Sequence, residues 1–322
     1  MNGKKASITN KPKGEMLNMQ NKQFKQSLEF FVNTQMGEGL QKSTVNAYGT
    51  DVRGFLEFLE EERRVTSLDK IILQHITIYR NILLLKHGFK RATIDRKVDS
   101  LSKYFACLAN NEWLPKNIMA KFVHKRQPKD SEIPKYLPFH EVRQILAAAK
   151  RYGDVNAKRD AALLGTLAFV GCRREEAVNL TWGQVSFKEK ALLLKRGKVS
   201  NFNGLEIHKE LFELLMDFYQ ECMQCQLKYP HPDCPVFYGE KGPQISLKTV
   251  NRLFLKYAKL AGIQREFSIT PCIFRNSFCT HLAIQGFTVI EIAHFTGHKD
   301  LNTLQKYIKM TVSQYKSIND FI

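Results

Sequence analysis

The chain has 322 residues, of which 43% are hydrophobic, and carries a formal net charge of +18 at pH 7. This length is enough for two ordinary domains with hydrophobic cores. No apolar run approaches the roughly 18 residues that a membrane-spanning helix needs. The polar, lysine-rich start, MNGKKASITNKPKGEM, lacks the apolar stretch of a secretory signal. These features predict a soluble cytoplasmic protein with no membrane partner.

The positive charge is spread over the whole chain. Residues 1–135 hold 24 basic and 14 acidic residues, a surplus of 10, and residues 136–322 hold 25 and 17, a surplus of 8. A polyanion held by both halves explains this distribution, and nucleic acid is the commonest such partner. A basic protein that is merely well solvated is the alternative.

The seven cysteines are odd in number and have no framework spacing, which suits a reducing compartment. Four side chains have a loosely zinc-like spacing: Cys222, Cys225, His231 and Cys234. The first two, however, belong to an amphipathic helical pattern, and the others lie in a proline-containing loop. The sequence therefore leaves metal binding at this cluster open.

Hydrophobic periodicity divides the chain into four parts. Residues 1–22 are polar and aperiodic and are predicted to be disordered. Residues 23–122 carry four or five helical patterns, and residues 123–135, polar with two prolines, form the predicted linker. Residues 136–322 are mostly helical, but ALLLKRGKVSNFNGLEIHKEL reads as two short strands around a turn. The predicted fold class is mainly α with a small β hairpin.

Three basic residues of the second domain lie near glycines or helix starts. In GCRREEAVNLTW, Arg173 opens a helix, where it faces the unfavourable end of the helix dipole and needs an anion. A salt bridge to Glu176 would meet the same need. Lys198 lies where the hairpin turns, a position that is usually only solvated. Cys272 and Arg275 share the first turn of a helix that begins TP, which makes an anion site by geometry.

The segment GHKDLNTLQKYIK places a tyrosine, Tyr307, nine residues after His298. Leu301, Leu304, Tyr307 and Ile308 recur at helical spacing, so Tyr307 could be a core residue. It could instead be a nucleophile, since two arginines can neutralise a phosphodiester bidentately while a lysine protonates the leaving 5′ oxygen. That chemistry needs no metal, and the sequence has no acidic cluster to hold one.

Four segments in this order, GCRREEAVNLTW, RGK, TPCIFRNSFCTHL and TGHKDLNTLQKY, resemble the tyrosine recombinase (phage integrase) family, and the chain is Xer-like in size. KSTVNAYGTDVRGFLEFL and KRATIDRKVDSLSKYFACL resemble the family's N-terminal helices, so the resemblance covers about residues 24–322. It implies a two-domain, C-shaped clamp on double-stranded DNA, with no cofactor. Four protomers, identical or paired with a paralogue, would act on two synapsed sites.

The resemblance also implies a role for each matching residue. Arg173 and Arg275 would clamp the scissile phosphate, and Glu176 would support Arg173. Lys198 would be the general acid, and His298 would hydrogen-bond the phosphate. Tyr307 would be the nucleophile that forms a 3′-phosphotyrosyl link.

Two positions depart from the family pattern. Cys272 stands where the family usually has histidine or lysine, and Asn276 stands where a histidine is common. We expect Cys272 to be tolerated as an assisting residue of the catalytic set; a slow or decayed enzyme is the alternative.

The first domain would use polar residues near the groove and phosphates, although a solvated helix face is the alternative for each: Lys42, Ser43, Tyr48, Arg91, Thr93, Arg96 and Lys97. The resulting prediction is a site-specific DNA recombinase of a mobile element or of Xer type, acting at the nucleoid. A type IB topoisomerase and a catalytically impaired DNA-binding protein are the two rivals.

Overall fold

The computed structural model describes residues 21–124, 134–195, 202–225 and 230–314. The chain divides into two compact units, residues 1–128 and 129–322, with the border inside the predicted linker. Of the segment predicted to be disordered, only the last two residues are described, and these cap and begin the first helix. No helix in the described part of the chain is long and apolar enough to cross a membrane.

The first unit is helical, as its periodicity predicts. A short 3-10 helix and four α-helices lie in its described part: α1 (Lys22–Gly37), α2 (Lys42–Arg63), α3 (Leu73–Leu85) and α4 (Arg91–Asn110). Each α-helix turns an apolar face inward, and helix α2 packs against both α1 and α4. The core is rich in aromatic rings, among them Phe24, Phe31, Phe55, Tyr104 and Phe105.

The second unit combines eight described α-helices with one small sheet. The helices are α5 (Phe139–Tyr152), α6 (Ala157–Phe169), α7 (Arg174–Val178), α8 (Lys209–Met223), α9 (Leu247–Leu260), α10 (Pro271–Ile284), α11 (Val289–Thr296) and α12 (Asn302–Gln314). The strands are β1 (Val185–Ser186), β2 (Ala191–Lys195) and β3 (Phe202–Glu206). They pair antiparallel in the order β1-β2-β3, so the predicted hairpin gains a third strand.

Helix α6 is the central element of the second unit. Every residue from Arg159 to Phe169 is buried, as expected for a helix surrounded by others. Helices α5, α8 and α10 pack against it. The end of α6 is therefore a fixed point, from which Gly171 and Arg173 follow directly.

Candidate active site

Arg275 is anchored at two points inside the second unit. Helix α10 begins at Pro271 with Thr270 in the N-cap position, as predicted. Arg275 is only 9% exposed, and its Nη1 donates to the carbonyl of Gly171 at 2.7 Å. Its Nη2 lies 3.2 Å from each ring nitrogen of His298. The guanidinium is thus fixed against the chain segment after α6 and against the histidine.

Gly171 has a conformation and a location that suit only glycine. Its φ is +59°, in the left-handed region that side chains disfavour. A Cβ built on it would lie 2.3 Å from Cδ1 of Phe278. The backbone therefore turns tightly here, and the turn presents the carbonyl that accepts from Arg275.

We expect Gly171→Ala to lower the free energy of unfolding by about 2–4 kcal/mol, because it adds backbone strain and overpacks the Phe278 ring. Urea-induced unfolding would measure the loss. Gly242→Ala is the matched control, since an added Cβ there meets nothing within 4 Å. An unchanged unfolding midpoint for Gly171→Ala would contradict this account of the turn.

Arg173 is aimed by Glu176. It occupies the N-cap of α7, where its backbone N–H donates to Oε2 of Glu176 at 2.7 Å and its Nη1 donates to Oε1 at 2.8 Å. Its Nη2 donates to the carbonyl of Gly297 at 3.3 Å. The salt bridge between Arg173 and Glu176 that the sequence suggested is therefore present. It points the half-exposed guanidinium towards the segment that carries His298.

His298 follows the left-handed glycine that ends α11, Gly297, whose φ is +67°. The hydroxyl of Thr296 donates to the carbonyl of Ile292 at 2.6 Å, so it can only accept from Nδ1 of His298, also 2.6 Å away. The proton is then on Nδ1, and Nε2 is the acceptor for Arg275. Thr296 therefore fixes the tautomer of the ring.

The electrostatics of this cluster favour an anion. Burial lowers the pKa of Arg275, and the positive charge of Arg173 lowers it further. An arginine still stays protonated in proteins. Two guanidiniums therefore stand near each other with one carboxylate, Glu176, bonded to Arg173. A phosphate between them would relieve the repulsion and accept several charge-assisted hydrogen bonds.

Tyr307 is packed into a small core formed by α10, α11 and α12. The residue is 3% exposed and lies with Cys279, Ala283, Ile292 and Leu304. Its hydroxyl donates to Oδ1 of Asn276 at 2.7 Å. Burial, followed by the nearby thiols of Cys279 and Cys272, raises the pKa of Tyr307, so the phenol is protonated at neutral pH. The helical spacing thus correctly predicted a packed tyrosine.

The predicted catalytic set has two further members, Cys272 and Lys198. Cys272 is exposed on the first turn of α10, and Lys198 lies outside the described residues. The sequence reasoning did not identify the two glycine carbonyls or Thr296 as parts of the site. The sequence shows Gly171 and Gly297 as helix breaks, but the arginines that bond their carbonyls are more than 100 residues away along the chain.

The candidate DNA-binding residues of the first unit lie on two helices that pack together. Helix α2 carries Lys42 and Ser43, both exposed, and the half-buried Tyr48; α4 carries the exposed Arg91 and Arg96 and the half-buried Thr93 and Lys97. The Lys103 ammonium lies 5.3 Å from the centre of the Tyr48 ring. Most of these side chains are thus accessible to a polyanion.

Two of these candidates are tied to a buried carboxylate. Asp51 is 1% exposed; it accepts from Lys97 Nζ at 3.2 Å, from Ser100 Oγ at 2.9 Å and from Arg96. The Lys97 side chain is only 15% exposed, whereas that of Arg96 is 48% exposed. Arg96 is therefore better placed than Lys97 to reach a ligand.

The cysteine cluster does not form a metal site in the described part of the chain. Cys222 is buried on α8, Cys225 is half-buried after it, and Cys234 is exposed. No group of three His, Cys, Asp or Glu side chains is arranged to hold a metal ion among the described residues. The loosely zinc-like spacing is therefore not matched by a ligand set.

Solved structures with a similar fold include recombinases bound to DNA. A XerH site-specific recombinase in a pre-cleavage complex with difH substrate aligns with a TM-score of 0.66 and 21% identity, over 85% of this chain and 79% of that one. A lambda integrase dimer bound to a COC′ core site aligns with a TM-score of 0.64 and 14% identity, over 87% and 96%. The predicted fold class is confirmed.

Sequence comparison gives the family. A tyrosine recombinase of Agathobacter rectalis is 29% identical over 87% of this chain and 90% of its own length. A tyrosine recombinase XerC of Leptospira interrogans is 25% identical over 86% of each chain. Residues 135–314 match the phage integrase family, and residues 29–112 match its N-terminal SAM-like domain. The two relatives are both tyrosine recombinases. The chain therefore belongs to the phage integrase family, as its sequence motifs predict.

Proposed function

We propose that this tyrosine recombinase cuts and rejoins double-stranded DNA at a specific site, through a 3′-phosphotyrosyl link to Tyr307. The observation that carries the proposal is the convergence of Arg173, Arg275 and His298 from three separate segments of the chain. These three groups make an anion site, and the next residue after Arg275 bonds the Tyr307 hydroxyl.

The phosphate clamp follows from the hydrogen-bonding groups of the site. Arg275 and Arg173 supply forked N–H donors, which suit the non-bridging oxygens of a phosphodiester. His298 can donate to an entering phosphate only through Nε2 of its protonated form, because Nδ1–H is already bonded to Thr296. Glu176 and the two glycine carbonyls keep the arginines in place before DNA arrives, so little reorganisation is needed.

The reaction exchanges one ester bond for another. The Tyr307 oxygen attacks phosphorus and loses its proton to water or to a basic group of the site. The bond from phosphorus to the 5′ oxygen breaks, and that oxygen takes a proton from Lys198. A 5′ hydroxyl of another strand then attacks the phosphotyrosine and releases Tyr307. Because the phosphotyrosine conserves the bond energy, the reaction uses no nucleotide cofactor, and this mechanism assigns no step to a metal.

DNA is the partner that best explains the charge of both units. The XerH and lambda integrase structures are DNA complexes, and the surplus of basic residues extends over this whole chain. We assign α2 and α4 of the first unit to the DNA surface. A tetramer, identical or mixed with a paralogue, would hold two sites in synapsis at the nucleoid, for Xer-type or mobile-element recombination.

Covalent capture tests the proposal without knowledge of the site. The protein is expressed in its source cell and denatured rapidly with detergent, and the attached DNA is sequenced. Mass spectrometry of the nuclease-trimmed adduct identifies the modified tyrosine. Adducts at a few loci, on Tyr307, are expected. Adducts scattered over the genome would favour a topoisomerase, and no adduct would favour a DNA-binding protein without catalysis.

Cys272→His is expected to leave the cleavage rate unchanged or higher, because the clamp is already supplied by Arg173, Arg275 and His298. A single-turnover assay on a nicked duplex that carries the captured site would measure it. Cys234→His, at another exposed cysteine, is the matched control. A loss of about tenfold or more, equivalent to about 1.4 kcal/mol of transition-state stabilisation, would make the thiol a required participant.

A further inference from the structure

One amide side chain joins the candidate nucleophile to the segment that enters the second unit. Asn276 accepts from the Tyr307 hydroxyl through Oδ1 at 2.7 Å, and its Nδ2 donates to the carbonyl of Lys135 at 3.0 Å. The next residue on α10, Ser277, accepts from the backbone N–H of Leu137 at 2.8 Å. Two consecutive residues of α10 therefore bind the chain at the last residue of the predicted linker and just after it.

Tyr307 is packed and hydrogen-bonded in the position that it occupies. A nucleophilic oxygen must come within roughly 3–3.5 Å of phosphorus, whereas this tyrosine is 3% exposed and its hydroxyl is bonded to an amide. Cleavage therefore requires Tyr307 to leave its packed position and to break its bond to Asn276.

We propose that Asn276 is a positioning residue that holds Tyr307 in a stored position and makes its release depend on the path of the chain at Lys135. The inference rests on the proposed role of Tyr307 as the nucleophile. Asparagine is suited to this task because its amide is both a donor and an acceptor. When Lys135 moves, the amide loses its anchor, and the hold on Tyr307 weakens.

The chemistry of the side chain gives two variants with different outcomes. Asn276→Ala removes both hydrogen bonds. Asn276→Asp keeps an acceptor for the Tyr307 hydroxyl but removes the donor to Lys135. The first variant should free the tyrosine, whereas the second, which loses the anchor at Lys135, should hold it more weakly than the wild type does. Gln285→Ala, an exposed amide at the end of the same helix, is the matched control.

Hydrogen exchange of the full chain without DNA tests the hold directly. In Asn276→Ala, the amides of residues 302–309 are expected to exchange about three- to tenfold faster, because a hydrogen bond that closes α12 onto α10 is lost. Asn276→Asp should show a smaller acceleration there, and Gln285→Ala should exchange like the wild type. Unchanged exchange in Asn276→Ala would overturn the inference, whatever the protein does with DNA.

Adduct formation tests the consequence for the reaction. On a nicked duplex that carries the captured site, Asn276→Ala should form the covalent adduct about three- to tenfold faster than the wild type, and the rate of Asn276→Asp should lie between the two. Tyr307→Phe is run in parallel. An adduct in Tyr307→Phe would refute the proposed nucleophile. No adduct there, with Asn276→Ala no faster than the wild type, would leave the nucleophile in place and overturn the role of Asn276.

Discussion

Tyr307→Phe is expected to abolish covalent attachment to DNA, with a fall in cleavage of at least about 10³-fold. Phenylalanine fills the same space among Cys279, Ile292 and Leu304, so the fold should persist. The variant lacks only the hydroxyl, and with it one hydrogen bond to Asn276. That loss should lower the free energy of unfolding by about 1 kcal/mol. A single-turnover assay and urea unfolding would measure the two effects.

A second tyrosine gives the control for this prediction. Tyr315 lies eight residues further along the chain, outside the described residues, and Tyr315→Phe should retain the adduct. DNA affinity of Tyr307→Phe should match that of the wild type, because the lost hydroxyl is buried in the protein. If Tyr315→Phe lost the adduct and Tyr307→Phe kept it, the nucleophile would be Tyr315 and not Tyr307.

The sequence predicted much of the candidate site because its polar residues lie close together within a few short segments. Arg173 and Glu176 are three residues apart, and a helix start brings such residues together. Likewise, the helix that begins at Pro271 fixes where Arg275 emerges. The order of the segments then indicated the family. These are local relations, and periodicity together with capping rules is sufficient to predict them.

The contacts that the sequence did not predict are long-range. Gly171 and Arg275 are 104 residues apart, and Arg173 and Gly297 are 124 apart, yet each pair shares a hydrogen bond. Nothing in the pattern of one segment identifies a carbonyl in another. Periodicity also treats core packing and catalysis at Tyr307 as alternatives. The structure packs this tyrosine in a core and bonds its hydroxyl to Asn276, the residue after Arg275. The surroundings of Tyr307 depend on contacts between distant segments, and local sequence patterns do not predict such contacts.

Arg173→Ala is expected to lower the rate of strand cleavage by about 10²–10³-fold, the usual loss when one preorganised donor to a transition state is removed. The adjacent arginine is a close control. The Nη1 of Arg174 donates to Oδ1 of Asn251 at 3.0 Å, and its Nη2 lies 3.6 Å from Glu175. We therefore expect the cleavage rate of Arg174→Ala to stay within about threefold of the wild-type rate, because the charge of Arg174 lies outside the phosphate clamp.

The comparison separates two ways in which an arginine can act on DNA. Each variant removes one positive charge from the same short segment, so both should weaken DNA binding and its salt dependence by a similar, small amount. Only Arg173 lies with Glu176 and the Gly297 carbonyl beside His298. A difference in cleavage rate at saturating protein therefore reports the phosphate clamp rather than affinity. Equal losses in the two variants would reduce Arg173 to a general contributor of charge and would place the clamp on other residues.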